Sequence, residues 1–296
     1  MMKKISIIIV TYNSEHHIYD CLNSIFVNND VGDDLEVIVV DNCSCGIDEM
    51  EKRICHLYGD KVKVIRNSSN GGYGQGNNVG IRSSHAPIVM IMNPDVRMIM
   101  PVFVKAIEQF AKYDKIAVLG MKQRIPGERG RSFGWSYRAP FWMGELLYPL
   151  CRIFDLYLQR YMYFQGSCFF IKKKAFERIG MFDENIFMYS EEDDLHWRFH
   201  KYGYLYRFVR TLEYQHLHKE NSDGIFSVSC KVQDLKSKIY MDQRDGLGDE
   251  YTVSRMLKHT NMQILFQTIK KMMGIANVDY IYILTNFRLL LQNRSF

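Results

Sequence analysis

Two polar residues, Asn93 and Asp95, follow an apolar run at residues 87–92 and are separated by Pro94. An apolar run without alternation is typical of a strand that is covered on both faces, as in a parallel sheet. Pro94 cannot continue a hydrogen-bond ladder, so the strand is predicted to end there. In open α/β sheets ligands bind beyond the carboxyl ends of the strands, which makes Asn93 and Asp95 candidates for binding or catalysis. The other interpretation is an ordinary Asn-Pro-Asp turn.

A run of four carboxylates at residues 191–194 is the second group that could do chemistry. Ser190 precedes the run and is predicted to cap a helix whose first turn holds the acidic residues. The helix N-terminus favours ionised carboxylates, whereas their mutual repulsion raises the pKa of at least one of them. A carboxylate with a pKa near neutrality can serve as a general base. Alternatively, the acidic residues only stabilise the start of the helix.

Two histidines, His216 and His218, stand two positions apart in a segment that is predicted to be extended. Alternate residues of a strand point to the same face, so both imidazoles are predicted to lie on one side. Such a pair could complete a metal site or bind a diphosphate. A structural role for each histidine is the other interpretation.

The elements that must position these residues follow an alternating order. Apolar runs rich in β-branched residues predict strands at 5–10, 35–40 and 61–65. Apolar residues at helical spacing predict helices at 15–27 and 47–57 between them. A β-α-β-α-β order with short connections predicts a parallel sheet with right-handed crossovers.

Polar residues also end the first two strands. They are Thr11, Tyr12, Asn13, Asp41 and Asn42. Any one of them could be a helix cap. Because the carboxyl ends of parallel strands lie along one edge of a sheet, these residues are predicted to gather with Asn93 and Asp95.

A glycine-rich stretch at 67–80 is predicted to be a loop. Glycine permits positive φ and a close approach of the backbone to a ligand, and exposed N–H groups can cradle a phosphate. The stretch is not a dinucleotide-binding fingerprint, because Asn77 stands where a third glycine is required. A flexible connection is the other interpretation.

The second half of the chain is less regular. Residues 141–164 predict an amphipathic helix whose apolar side packs on the core or touches a membrane surface. An edge strand is predicted at 205–209, and the pattern after it becomes helical. We therefore predict a domain at 1–225 and a helical C-terminal extension at 226–296.

The composition is that of an ordinary globular protein. Its 296 residues are 47% hydrophobic, and the net charge of +5 is spread along the chain, which does not favour a nucleic-acid partner. The seven cysteines include no Cys-x-x-Cys pair, so we predict reduced thiols and a cytoplasmic location. No run approaches the ~20 apolar residues that a transmembrane helix needs.

The motifs occur in the order found in family 2 glycosyltransferases, and the chain most resembles the rhamnosyltransferase-like branch of bacterial surface-polysaccharide synthesis. The resemblance extends over residues 4–222 and is carried by motifs at 6–13, 39–42, 70–80, 93–96 and 182–195. It implies the α/β GT-A fold, a Rossmann-like and mostly parallel sheet with helices on both faces, here with a C-terminal helical appendage. It also implies an inverting hexosyltransferase, a nucleotide-diphospho-sugar donor and Mg²⁺ or Mn²⁺.

The resemblance assigns roles to single residues. Those expected to shape the nucleotide pocket or lie over the nucleotide and sugar are Thr11, Tyr12, Asn13, Asn70, Gly71, Gly72 and Asn77. Asp41 would accept a hydrogen bond from the pyrimidine ring. Asn93 and Asp95 stand at the family's Asp-x-Asp signature. Glu192 matches the catalytic base, with Asp194 nearby in the acceptor site.

Two positions depart from the family pattern. Asn93 replaces an anionic metal ligand with a neutral one, so metal binding would rest on Asp95 and the diphosphate, with His216 or His218 beside them. Glu192 stands where many members have Asp, which extends the base by one methylene. The chemistry still agrees, because displacing a nucleoside diphosphate needs a base for the acceptor and positive charge at the departing group.

The implied acceptor is a saccharide or a polyprenyl-diphosphate-linked saccharide. Residues 141–164 and the basic C-terminus suggest peripheral contact with the inner face of the cytoplasmic membrane. Two other functions stay open at this point, a non-catalytic nucleotide-sugar-binding protein of the same fold and a sugar nucleotidyltransferase. The second lacks the Arg/Lys-bearing glycine loop that such enzymes need near the first strand.

Overall fold

The computed structural model describes residues 3–128, 130–217, 228–272, 278–294 and 296. Its chain forms two compact units. The first comprises Met1–Gly134, Tyr157–Phe187 and Glu191–His218, and the second comprises Trp135–Leu156, Met188–Ser190 and Lys219–Phe296. The division between residues 225 and 226 stays a prediction from the sequence, since residues 135–156 and 188–190 are here grouped with the C-terminal helices.

The strands are mostly parallel. They are β1 (Ile5–Thr11), β2 (Leu35–Asp41), β3 (Val62–Arg66), β4 (Ile88–Met92), β5 (Val96–Met98), β6 (Ile116–Arg124), β7 (Phe133–Trp135), β8 (Met162–Phe164), β9 (Cys168–Lys172) and β10 (Leu205–His216). Eight of them form one sheet in the order β3-β2-β1-β4-β9-β6-β10-β5, and β7 pairs with β8 separately. Within the large sheet β9 and β5 run antiparallel to their neighbours.

Helices cover both faces of this sheet. The helices of the chain are α1 (Glu15–Val27), α2 (Ile47–Tyr58), α3 (Gly72–Arg82), α4 (Phe103–Lys112), α5 (Phe141–Phe154), α6 (Lys173–Arg178), α7 (Glu191–Lys201), α8 (Val228–Arg244), α9 (Asp249–Met272) and α10 (Val278–Asn293). Helices α1 and α2 pack on one face with Ile7 and Ile9, whereas α3 lies between β3 and β4 in the chain and packs against β1 and β2 from the other face, beside Ile8. Coverage of both faces explains why all five residues of β4 are buried.

The prediction of a loop at 67–80 is wrong for most of that stretch, because residues 72–82 form α3. Glycine disfavours a helix when it is considered alone, but here it allows close packing. A Cβ at Gly76 would lie 2.7 Å from Val10 Cγ1, and one at Gly80 would overlap Ile8 Cγ2. The glycines therefore let α3 lie directly on β1.

The other predicted elements of the first unit are confirmed with small changes of boundary. The strand at 87–92 ends at Met92, before Pro94. The strand predicted at 205–209 continues to His216 across a register shift between Val209 and Glu213. Among the described strands its first part pairs only with β6, as expected of an edge, whereas Tyr214 to His216 are also paired with β5.

The second unit is helical, as the sequence predicts for the C-terminus. A small core of Leu235, Met256, Phe287 and Leu291 joins α8, α9 and α10. The predicted helix at 141–164 ends at Phe154, and its apolar side is not the one that is buried. The buried positions of α5 are the small residues Gly144 and Cys151.

The outer face of α5 is apolar and exposed. Its side chains are 50–62% exposed at Trp142, Leu146, Leu150, Ile153 and Phe154. The interpretation that this apolar side packs on the core is therefore wrong. None of the helices in the described ranges is long and apolar enough to cross a membrane.

Candidate active site

The polar ends of β2, β1 and β4 meet at one edge of the sheet, as predicted. These three strands are neighbours in the sheet order, and Thr11 pairs directly with Asp41 in the parallel register. The loop after β2 continues this contact, because the Asn42 N–H donates to the Thr11 carbonyl over 2.8 Å. The edge is therefore built by the alternation of strands and crossovers in the sequence.

Asp41 is fully buried at this edge and holds the loop that follows it. Its carboxylate accepts hydrogen bonds from the Thr11 hydroxyl at 3.1 Å, the Ser44 hydroxyl at 2.6 Å and the Ser44 N–H at 2.8 Å. Asn13, with φ of +51°, donates its N–H to the Ser44 hydroxyl over 2.8 Å. In this conformation the buried Asp41 carboxylate fixes Ser44, and the Ser44 hydroxyl in turn fixes Asn13.

A cavity of about 650 Å³ opens beside this network. Residues from the loops after β1 and β2 line its mouth, including Asn13, Ser44 and Gly46. Tyr19 and Arg53 also line the cavity, with the Arg53 guanidinium 4.0 Å from the centre of the Tyr19 ring. Tyr12 is 51% exposed next to Asn13. Of the residues predicted at the nucleotide, Asn13 and Tyr12 are thus the most accessible.

The predicted residues of the glycine-rich stretch brace the start of α3. The Asn70 side chain accepts the Gly72 N–H at 3.0 Å, and the Gly72 carbonyl accepts from the Asn42 amide at 2.9 Å. Gly72 has φ of +88°, and a Cβ there would overlap the Phe187 carbonyl. Gly71 immediately precedes the helix. Asn77 is buried inside α3 and donates to the Tyr73 carbonyl at 2.9 Å.

Asp95 contacts a chain of side chains from β10, β6 and the turn before β9. Its Oδ2 lies 3.1 Å from His216 Nε2, and His216 Nδ1 lies 3.0 Å from Gln123 Nε2. The Gln123 amide also donates to the Ser167 hydroxyl at 3.1 Å, while its Oε1 accepts the Arg131 N–H at 2.7 Å. Because Nε2 of Gln123 can only donate, His216 Nδ1 accepts and His216 Nε2–H donates to Asp95.

This arrangement decides how a divalent cation could be held. A metal-ligating histidine normally donates its other ring N–H, whereas Nδ1 of His216 accepts from Gln123. Both ring nitrogens of His216 are thus engaged within the protein, Nδ1 with Gln123 and Nε2 with Asp95. The described residues contain no group of three or more His, Cys, Asp or Glu suited to a metal, and His218 lies outside them.

One carboxylate is still compatible with Mg²⁺ or Mn²⁺. Mg²⁺ is commonly held by one or two carboxylates together with substrate phosphates and water, so Asp95 and a diphosphate would suffice. Asn93 is fixed beside it by its N–H, which donates to the Ser167 carbonyl over 2.8 Å. The oxygen ligands available here therefore suit a divalent cation that binds together with the nucleotide.

Glu192 lies against Gly166, two residues before β9. A Cβ at position 166 would overlap Glu192 Oε1, so a larger residue there would require this carboxylate to move. Burial, followed by the nearby charge of Asp193, raises the pKa of Glu192 to about 7, although backbone N–H groups of Glu192 and Gly166 favour its ionised form. A carboxylate with this pKa can accept a proton near neutral pH.

The other carboxylates of the run have different environments. Asp194 is 1% exposed, and its Oδ2 pairs with Arg198 Nε at 2.8 Å. Arg198 also donates to the carbonyls of Ile179 and Met181, so this pair ties α7 to the segment that precedes it. Glu191 and Asp193 are buried. Glu192 is thus the member of the run whose contacts and pKa suit a general base.

Ser190 does not have the geometry predicted for a helix cap. Its φ of +73° lies outside the extended range usual for a capping residue, and its hydroxyl donates to Asp234 at 2.7 Å. The preceding Tyr189 also has a positive φ, of +68°. The chain therefore enters α7 through two consecutive left-handed residues that are not glycine.

Sequence reasoning did not single out Gly166, Ser167, Gln123, Ser44 or Tyr73. Ser167 and Gln123 come together because β9 and β6 are neighbours in the sheet, and the sequence carries no signal for that pairing. Gly166 comes just before the apolar run at 168–171, and an isolated glycine beside or within a strand can mark a close approach. That signal could have identified it.

Comparison with known proteins first establishes the class of fold. A mannosyltransferase of Pyrobaculum calidifontis, solved in complex with GDP-Man and Mn²⁺, superposes with a TM-score of 0.65 at 13% identity, over 100% of this chain and 89% of that one. At this identity the likeness concerns the fold alone. The predicted fold class, an α/β GT-A fold with a helical C-terminal region, is confirmed.

A family model described as Glycosyl transferase family 2 matches residues 6–180. This is more than half of the chain, and the chain belongs to that family.

Two relatives illustrate the family. The low-salt glycan biosynthesis hexosyltransferase Agl10 of Haloferax volcanii is 30% identical over 208 residues, which are 67% of this chain and 62% of that protein. The chain thus spans less than two thirds of that relative. A stretch of 59 residues is 44% identical to the N-acetylglucosaminyl-diphospho-decaprenol L-rhamnosyltransferase of Mycobacterium tuberculosis, or 20% of this chain and 19% of that protein.

Proposed function

We propose that the chain is an inverting glycosyltransferase that moves a hexose or deoxyhexose, with rhamnose as the first candidate, from a nucleotide-diphospho-sugar in cell-surface polysaccharide synthesis. The acceptor is a saccharide or a polyprenyl-diphosphate-linked saccharide. The observation that carries the proposal is the Glu192 carboxylate, seated against Gly166 with a pKa of about 7. The similarity to the mycobacterial N-acetylglucosaminyl-diphospho-decaprenol L-rhamnosyltransferase supports rhamnose and the lipid-linked acceptor.

In this proposal Glu192 removes the proton from an acceptor hydroxyl. The oxygen attacks the anomeric carbon of the donor as the bond from that carbon to the diphosphate breaks, which inverts the configuration. Asn13, Ser44 and the start of α3 hold the nucleotide at the ends of β1 and β2. Asp95, oriented by His216, lies at the end of β4 toward the diphosphate. Asp95 and the diphosphate would hold a divalent cation, which would supply positive charge for the departing group.

A donor screen tests this function directly. Nucleoside diphosphates and nucleotide-sugars are added with Mn²⁺, and thermal unfolding is followed, because a ligand at about 100 times its Kd stabilises the native state by about 2.7 kcal/mol. The donors that raise the unfolding temperature are then incubated, radiolabelled, with short saccharide and lipid-linked acceptors. We expect a glycosylated product and release of a nucleoside diphosphate. Release of pyrophosphate would instead indicate a nucleotidyltransferase.

A non-catalytic nucleotide-sugar-binding protein is the second candidate. The neutral side chain of Asn93 favours it, since one anionic residue of the family signature is missing. The raised pKa of Glu192 opposes it, because a binding protein has no use for a base near neutrality. Thermal stabilisation by nucleotides together with no turnover of any donor would establish this candidate.

Peripheral membrane contact is part of the proposed function. The outer face of α5 exposes Trp142, Leu146, Leu150, Ile153 and Phe154, a combination typical of helices that lie in a membrane interface. Residues 251–296 carry six basic residues and one acidic residue, which suits an anionic lipid surface. The face of α5 would supply apolar burial, and the basic residues would supply electrostatic attraction.

We expect the protein to sediment with vesicles of anionic phospholipid and to be released at high salt. Replacing Leu146 and Leu150 together by Ser should weaken binding at least about tenfold, because each leucine loses the apolar burial that the lipid supplies. The matched control replaces Val27 and Leu57, which are exposed on α1 and α2, by Ser. Equal binding of both double variants would argue against α5 as the contact.

A further inference from the structure

Groups from four segments of the chain lie around Glu192. Gly166 faces its carboxylate from the turn before β9, and Asp193 is its neighbour on α7. The charge of Glu192 also acts on Tyr73 on α3 and on Tyr206 on β10. The position of the carboxylate therefore depends on how firmly the Gly166 turn is held.

Tyr73 holds that turn from the other side. Its hydroxyl donates to the Gly166 carbonyl over 2.5 Å, a short hydrogen bond between α3 and the turn. The N–H of the same glycine faces the Glu192 carboxylate. Gly166 thus links the two side chains, because its carbonyl contacts the Tyr73 hydroxyl and its N–H contacts the Glu192 carboxylate.

Tyr73 is itself fixed. Its ring packs edge-on against Phe182, with ring centres 5.6 Å apart, and its N–H donates to the Phe187 carbonyl at 3.3 Å. Burial, followed by the charges of Glu192 and Glu191, raises the pKa of Tyr73 well above its usual value, so the hydroxyl keeps its proton. It is a permanent hydrogen-bond donor near neutral pH.

We infer that Tyr73 is a positioning residue for the base, acting through the Gly166 carbonyl to keep the Glu192 carboxylate in its position against Gly166. The inference rests on the proposed role of Glu192. The tyrosine touches neither donor nor acceptor in this scheme, so it affects the chemical step and leaves binding unchanged.

The test follows the titration of Glu192 itself. The carboxyl carbon of Glu192 is observed by NMR in protein labelled with ¹³C-glutamate, with Glu192→Gln used for assignment. Burial is the largest cause of the raised pKa, and the Gly166 N–H is the smallest. If the Gly166 turn is held less firmly, water can reach the Glu192 carboxylate. Tyr73→Phe is therefore expected to lower the midpoint of the Glu192 titration by about half a pH unit or more. In transfer assays kcat should fall about tenfold with the donor KM unchanged.

Tyr58→Phe is the matched control. The Tyr58 hydroxyl also donates to a backbone carbonyl, that of Tyr19 at 3.1 Å, but it lies on the opposite face of the sheet. It should leave the Glu192 midpoint and kcat at wild-type values. Gly166→Ala is the second variant, since its methyl group displaces the carboxylate and should lower the midpoint further.

The outcomes separate the two claims. A wild-type midpoint in folded Tyr73→Phe protein overturns the positioning role, whether or not the enzyme turns over. Failure of the wild-type protein to transfer any sugar overturns the proposed function, while the NMR midpoints still decide the role of Tyr73. If Tyr73→Phe does not fold, an unchanged midpoint in Gly166→Ala overturns the inference and a lowered one supports it.

Discussion

Glu192→Gln is expected to abolish sugar transfer, with kcat reduced by about 10² to 10⁴, and to leave nucleotide affinity within about twofold of wild type. The amide keeps the shape of the side chain in the space beside Gly166 but cannot take a proton from the acceptor. The nucleotide is proposed to lie at the ends of β1 and β2, on residues that this change leaves in place. A selective loss of kcat is therefore the expected result.

The pH profile gives an independent measure of the same role. Burial raises the pKa of Glu192 to about 7, and the base works as the carboxylate. We therefore expect kcat of the wild-type enzyme to rise about tenfold per pH unit below pH 7 and to level off above it. The residual kcat of Glu192→Gln should not show this rise with pH below pH 7.

Glu108→Gln is the matched control, because it makes the same change at a carboxylate on α4 that pairs with Lys105 at the surface. It should be indistinguishable from wild type. If Glu192→Gln turned over at the wild-type rate, the base would have to be reassigned to Asp194 or Glu191. Asp194 is the less suited of the two, since it is paired with Arg198.

The edge of the sheet could be predicted from the sequence because it follows from topology. Apolar strands that alternate with helices force a parallel sheet, and parallel strands bring their carboxyl ends together. Thr11, Asp41 and Asp95 are therefore placed along the same edge of the sheet, whatever contacts their side chains make. The same reasoning could not foresee that Asp41 would be buried beneath Ser44, because that depends on a loop conformation.

Packing between distant segments was beyond sequence reasoning. The glycines of α3 predicted a loop because local propensity was the only signal available. In the structure the stretch is helical, and Gly80 allows the helix to pack closely against Ile8. The apolar stripe of α5 predicted either burial on the core or contact with a membrane surface, and the side that packs carries Gly144 and Cys151. In both cases small residues mark the buried side, and apolar periodicity does not report it.

The choice among the four carboxylates of α7 also needed the structure. Repulsion and the helix N-terminus act on all four, so the sequence predicted one perturbed group without identifying it by physical argument. Glu192 is distinguished by the missing side chain at Gly166 and by the hydroxyl of Tyr73 beyond it. Both lie more than twenty residues away along the chain.

Asp95→Asn is expected to remove the Mn²⁺-dependent part of nucleoside diphosphate binding, a loss of about 10- to 100-fold in affinity. Position 93 is already neutral, so Asp95 supplies the one carboxylate of the Asn93-Pro94-Asp95 motif. An asparagine at position 95 can still accept the His216 Nε2–H, so the change removes the charge and keeps the contact. Transfer should fall at least as far as binding.

Calorimetry with a nucleoside diphosphate, in Mn²⁺ and again in EDTA, measures this effect. The wild-type protein should bind more weakly in EDTA, whereas Asp95→Asn should bind weakly in both, and Asp114→Asn, at an exposed position before β6, should match wild type. Retention of the Mn²⁺ effect in Asp95→Asn would place the cation elsewhere. His216→Ala separates the two roles of the histidine, because a residue that only orients Asp95 leaves most of the Mn²⁺ effect intact, whereas loss of a ligand removes it.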